Sequence, residues 1–142
     1  HTVTIKQEFI QKDEFDTGER LILNYGHTFG HAIESITNFA IPHGVAVCHG
    51  MNIANYLSFR LGYLPSTEYS DICSILSSIS GNMVLPSIDI QQFIRSLKND
   101  KKNTDDMLTC ILTRGIGDMF IHKITMDETL YNYLEDYFVQ AR

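Results

Sequence analysis

Five residues in the first third of the chain have the types and spacing to do chemistry: Arg20, Asn24, His27, His31 and His43. On a helix advancing about 100° per residue, the first four fall within roughly 60° of one another. Ile22, Tyr25, Phe29, Ile33 and Ile36 collect on the opposite side, the side expected to face a core. Two His at i, i+4 can converge on one divalent ion, or one can hold the ion while its neighbour works on substrate. The spacing alone is weak evidence, and the Glu of the H-E-x-x-H protease signature is missing, which argues against a zincin. His43 lies between Pro42 and Gly44, where a second helix should begin, and can reach the first helix's polar stripe. A catalytic zinc takes about three protein ligands and an open position. Two His from here would leave one ligand to be found, and nothing else in the chain volunteers it.

The stripe is unlike an ordinary solvated face, which would be built from Lys, Glu and Gln. Gly26 and Gly30 each cost roughly 1 kcal/mol relative to Ala inside a helix. They are expected to let a backbone or a ligand come close. Lys6, Lys101 and Lys102 are ordinary surface lysines unless an anionic substrate recruits them. His49 and His122 have no companions at ligand spacing and read as structural.

The elements that must position these residues are mostly helical. A short helix is expected over residues 2–12, then a long one from Thr17 to about Thr37, broken by Asn38 to Pro42. Further helices are expected over about 44–61, 66–80, 89–98 and 126–140, with breaks at Gly62, Pro65, Gly81 and Pro86. Met107–Thr113 and Met119–Ile124 read as strands, joined through Gly115-Ile116-Gly117-Asp118 into a hairpin. The fold class is therefore mainly α: one helical domain over residues 1–142 with a single small β-hairpin.

Bulk composition agrees. The 142 residues are 44% apolar and 20% charged, with a net charge of -6, as in a folded domain with no general attraction to nucleic acid or anionic membrane. Cys48, Cys73 and Cys110 are odd in number and widely spaced, which reads as reduced, inert thiols in a cytoplasmic protein. The start lacks an initiator Met and a signal-peptide pattern, as expected of a chain cut from a longer one.

The motif Arg20-x3-Asn24-Tyr25-Gly26-His27-Thr28-Phe29-Gly30-His31-Ala32-Ile33-Glu34, followed by Pro42-His43-Gly44 and Gly50-Met51, resembles the C-terminal domain of dehydroquinate synthases. Lys6 and Asp13-Glu14 upstream fit the same pattern, as does Asp100-Lys101-Lys102 downstream. The resemblance implies that His27 and His43 bind a divalent metal, normally zinc and alternatively cobalt. It implies that His31 is the active-site histidine that handles protons. Lys6, Arg20, Asn24 and Lys101 would bind the anionic substrate. It further implies an N-terminal nucleotide-binding domain, outside this chain, that supplies NAD and a Glu metal ligand, and no G-x-G-x-x-G element occurs here. The implied enzyme is a lyase of the shikimate pathway, in aromatic amino-acid biosynthesis, commonly a homodimer. It would convert a keto-acid sugar phosphate to dehydroquinate with loss of phosphate, and an isolated fragment would be inactive.

One departure is Val45, where dehydroquinate synthases usually carry Glu; it bears on the substrate more than on the chemistry. Other cyclitol-forming sugar-phosphate cyclases share the helix motif. Iron-containing or glycerol-type polyol dehydrogenases share the Pro42-His43-Gly44-Val45-Ala46 string, but Asn24-x-Gly26-His27-Thr28 and Asp100-Lys101-Lys102 favour a cyclase. A helical remnant serving only as an interaction module should have lost Arg20, His27 or His43, and all three are present.

Overall fold

The structure is a computed structural model that describes residues 25–80, 85–100 and 106–140. Within them the chain forms α1 (His27–Ile36), α2 (His43–Arg60), α3 (Ser66–Ser80), α4 (Ile90–Lys98), β1 (Met107–Gly115), β2 (Asp118–Thr125) and α5 (Glu128–Gln140). The expected mainly α architecture with one hairpin is what is found. The predicted helix over 2–12 lies outside the described residues.

Of the long helix expected from Thr17 to about Thr37, residues 17–24 lie outside the described residues, and the described part does not run through Gly26. Gly26 adopts a left-handed φ of 82°, so α1 begins at His27. The helical wheel therefore cannot be carried back through Gly26 to Asn24 and Arg20. Tyr25, assigned to the apolar face of that wheel, instead precedes the helix in the turn. The other boundaries lie within two residues of expectation. Asp89 caps α4 by accepting from the backbone N–H of Gln91 at 2.9 Å, and Asp127 accepts from Leu130 N at 3.1 Å to start α5. Asn38 and Phe39 take left-handed backbone angles that turn the chain from α1 into α2.

Phe29, Ala32 and Ile33 on α1 pack with Ile53, Tyr56 and Leu57 of α2. Phe93 and Leu97 of α4 and Leu130 and Leu134 of α5 complete the same core, with β1 contributing Leu108 and Leu112. The hairpin is antiparallel, pairing Met107 with Thr125 through Thr113 with Met119, and a bulge separates Thr113 from Gly115. Buried Ser58 ties it to α2 by accepting from Thr113 N at 3.0 Å while donating to the Ala54 carbonyl at 2.7 Å. Cys110 is fully buried, its thiol pushed up to about 12 by desolvation, whereas Cys48 and Cys73 are only partly buried. None of the described helices is long and apolar enough to cross a membrane.

Glycines set how closely α1 and α2 approach. A Cβ on Gly50 would lie 2.0 Å from the Gly26 carbonyl oxygen and 2.6 Å from Gly30 N. It would fall on the hydrogen bond that opens α1, from Gly30 N to Gly26 O at 2.9 Å. A Cβ on Gly26 would meet the Val47 carbonyl at 2.8 Å, and one on Gly30 would press Ala46 O and Val47 Cα at 3.1 Å. The two alternatives left open for these glycines are thus resolved in favour of a backbone. Gly50→Ala should cost about 2–3 kcal/mol in denaturant unfolding, because backbone cannot move aside as a side-chain tip can. Gly44→Ala, with nothing within 4 Å of its Cβ, should be neutral or stabilising by up to about 1 kcal/mol. Equal stabilities for the two variants would contradict this packing.

Candidate functional site

Two short pieces of chain build the site. Gly26 turns the backbone so that His27 opens α1, and His31 follows one turn later on the same face. Pro42 precedes α2 and makes His43 its first residue. The close crossing of the two helices then brings the three imidazoles together. Ring centroids lie 5.5 Å apart for His27 and His31, 5.6 Å for His27 and His43, and 6.1 Å for His31 and His43. His27 is partly buried, and His31 and His43 are exposed.

Two rings ligating one tetrahedral ion through bonds of about 2.0–2.1 Å have centroids on the order of 5 Å apart, so the spacing suits a shared ion. Which nitrogen faces that ion depends on what the other one contacts. His43 Nδ1 lies 2.8 Å from Glu34 Oε1, and His27 Nδ1 lies 3.4 Å from the Tyr25 carbonyl oxygen. In both rings the tautomer protonated on Nδ1 donates to an oxygen and leaves Nε2 as a lone-pair donor. Metal-binding histidines typically have this arrangement.

Sequence reasoning passed over Glu34. Its carboxyl is buried, at 7% exposure, and pairs with His43 across the helix crossing. The signal was available: on the wheel that groups the histidines, Glu34 falls within roughly 60° of His31. His31, Glu34 and His43 offer ligand-type atoms within 4.8 Å of one another. That makes Glu34 a candidate for the third ligand the sequence did not reveal. The 2.8 Å contact argues otherwise, since ligand atoms on a tetrahedral zinc stand about 3.3 Å apart, whereas 2.8 Å is a charge-assisted hydrogen bond.

Beside His31 a cavity of about 300 Å³ opens between α1 and α4, lined by Thr28, His31, Ser35, Ser96, Asn99 and Asp100. Ala32 completes the lining, so hydroxyl, amide and carboxylate groups alternate there with apolar surface, the mixture a small ligand with several polar groups needs. Asp100, the first residue of the D-K-K segment, is part of this lining. Lys6, Arg20, Asn24, Lys101 and Lys102 lie outside the described residues. Val45 is partly buried and packs against the core. His122 sits on β2 against Tyr63 and Phe120, with its pKa lowered by partial burial.

Tyr25 anchors the turn before His27. Its hydroxyl donates to Asn55 Oδ1 on α2, and burial raises its pKa far more than that bond lowers it, so it stays a neutral donor. Asn55 Nδ2 is buried with no hydrogen-bond partner among the described residues, so the tyrosine satisfies the only partnered end of that amide. Tyr25→Phe should therefore lower stability by about 1–3 kcal/mol, read by thermal or denaturant unfolding. An unchanged midpoint would show that the hydroxyl does not hold the turn to α2.

Comparison with known proteins places this arrangement in context. Residues 1–103 match the family described as 3-dehydroquinate synthase C-terminal. A 3-dehydroquinate synthase of Helicobacter pylori (strain P12) is 38% identical over 135 residues, covering 94% of this chain and 39% of the relative. One from Pelobacter propionicus is 35% identical over 127 residues, covering 89% and 35%. The chain thus spans about two fifths or less of the length of these relatives. Among solved structures, a 2-deoxy-scyllo-inosose synthase complexed with carbaglucose-6-phosphate, NAD+ and Co2+ superposes with a TM-score of 0.80 at 25% identity, covering 99% of this chain and 40% of that one. The 2-epi-5-epi-valiolone synthase of Streptomyces hygroscopicus, with NAD+ and Zn2+ bound, gives 0.72 at 21% identity, covering 95% and 37%, a likeness of fold.

Proposed function

We propose a function on one premise: the chain belongs to the 3-dehydroquinate synthase C-terminal family. It is the metal- and substrate-binding helical part of an NAD- and metal-dependent carbon–oxygen lyase. The enzyme converts a seven-carbon keto-acid sugar phosphate to dehydroquinate, a step of aromatic amino-acid biosynthesis in the cytoplasm. An N-terminal nucleotide-binding part supplies the NAD site and a further carboxylate ligand, and the working enzyme is a dimer. The observation that carries this reading is the meeting of His27, His31 and His43 at the α1–α2 crossing, beside a cavity to which Thr28, Ser35, Asn99 and Asp100 contribute polar groups.

His27 and His43 would hold the divalent ion, zinc or cobalt, through Nε2. When bound, such an ion polarises a reacting hydroxyl or ketone and stabilises developing negative charge. His31, on the lining of the cavity, would accept or deliver a proton on the substrate. Lys6, Arg20, Asn24 and Lys101 would hold the carboxylate and phosphate, fixing the conformer that elimination and ring closure both require.

The test is turnover by the intact protein given the keto-acid sugar phosphate, NAD and Zn2+ or Co2+. Phosphate should be released without accumulation of NADH, because the hydride removed early is returned. His31→Ala should lower kcat by about 10²–10⁴-fold while retaining the metal, and His43→Ala should lose it. Stoichiometric NADH without phosphate release would indicate a polyol dehydrogenase instead. Turnover restricted to sugar phosphates lacking a carboxylate would indicate another cyclitol-forming cyclase.

A further inference from the structure

We propose that Glu34 is the positioning residue of this site: its carboxylate holds His43 by Nδ1, so that Nε2 faces the ion. The inference rests on the reading of His43 as a metal ligand, and it adds a role for a residue one helix away.

Three observations support it. The first is cost. A carboxylate buried to 7% exposure loses most of its hydration, worth several kcal/mol, and an apolar residue at that place on α1 would pack without the penalty. The second is geometry. Glu34 Oε1 stands 2.8 Å from His43 Nδ1, and with that N–H donated to the carboxylate the remaining lone pair on the imidazole is at Nε2. The third is the setting of His43. It is the first residue of α2, its ring is more than half exposed, and Pro42 offers no side-chain cap, so little else in the described residues fixes the plane of the imidazole. A ring free to flip would offer Nδ1 and Nε2 in turn, and only one of them can share an ion with His27.

A merely structural role is the competing account. Glu34 lies beside the N-terminal end of α2, whose first turn contains no acidic residue. There it could simply complement the helix dipole and tie α1 to α2. The two accounts differ in what changes when the ion is absent.

Two near-isosteric substitutions in the intact protein separate them. Glu34→Leu keeps the buried volume and removes the acceptor, with E34M in its place if leucine's branch cannot be packed. Glu34→Gln keeps an oxygen that can accept from Nδ1 and removes the charge. Each variant, wild type and His43→Ala are stripped of metal and titrated with Co2+ and Zn2+ against a chromophoric chelator, and the metal-free proteins are melted. The expected result for E34L is a 10- to 100-fold loss of metal affinity with a metal-free melting temperature at or above wild type. E34Q should recover most of that affinity. Wild-type affinity in E34L overturns the proposal, as does an E34Q as weak as E34L, since charge would then matter and orientation would not. A lowered metal-free melting temperature with unchanged affinity assigns Glu34 to the structural role. If His43→Ala binds metal as wild type does, the metal-ligand reading of His43 has failed, and the proposal for Glu34 falls with it. If His43→Ala loses metal and E34L does not, only the Glu34 proposal fails.

Discussion

The whole arrangement depends on two helical backbones passing almost in contact. Gly50 lies over the hydrogen bond from Gly30 N to the Gly26 carbonyl, with no room for even one side-chain carbon between them. Helices that carry ordinary side chains at the contact stand about 8–10 Å apart, and a glycine-lined crossing lets them come closer. Closeness is what the chemistry needs, because His27 and His31 ride on one helix and His43 starts the other. A wider separation would leave two histidines on one face and a third out of reach.

The supports of this crossing are all in the core. Phe29 and Ile33 lie beneath the histidine face of α1, and Ile53, Tyr56 and Leu57 fill the opposing side of α2. Tyr25 and Asn55 bond across the crossing at one end, and Glu34 and His43 do so at the other. Between these two polar links the contact is backbone on backbone. The imidazoles are thus held by rigid helix ends, and their spacing is set by packing before any ligand arrives.

Much of this was legible in the sequence. The boundaries of α2, α3 and α4 followed from Pro42, Gly62, Pro65 and Pro86, whose effects are local. The hairpin followed from strand-like runs on either side of Gly115-Ile116-Gly117-Asp118. His27, His31 and His43 were selected on type and spacing, and the fold brings them together. Gly26 was misread: a helical wheel treats every residue as helical, whereas this glycine's left-handed backbone lies just outside the start of α1 and its neighbours on α2 exclude a Cβ. The second fact is not local, because Val47 and Met51, which exclude the Cβ, lie more than twenty positions along the chain. Glu34 was overlooked for a similar reason. A Glu on a helix is usually a solvated surface residue, and only the fold shows that this one is buried against a histidine nine positions on.

The central claim is that His27 and His43 share one ion through Nε2. The most direct measurement is a crystal structure of the intact protein loaded with Zn2+ or Co2+, with anomalous data collected across the metal's absorption edge. The account predicts a single strong anomalous peak about 2.0–2.1 Å from Nε2 of both His27 and His43, with Glu34 hydrogen-bonded to His43 Nδ1 and outside the coordination sphere. A peak coordinated by His31, Glu34 and His43, with His27 uninvolved, would contradict it.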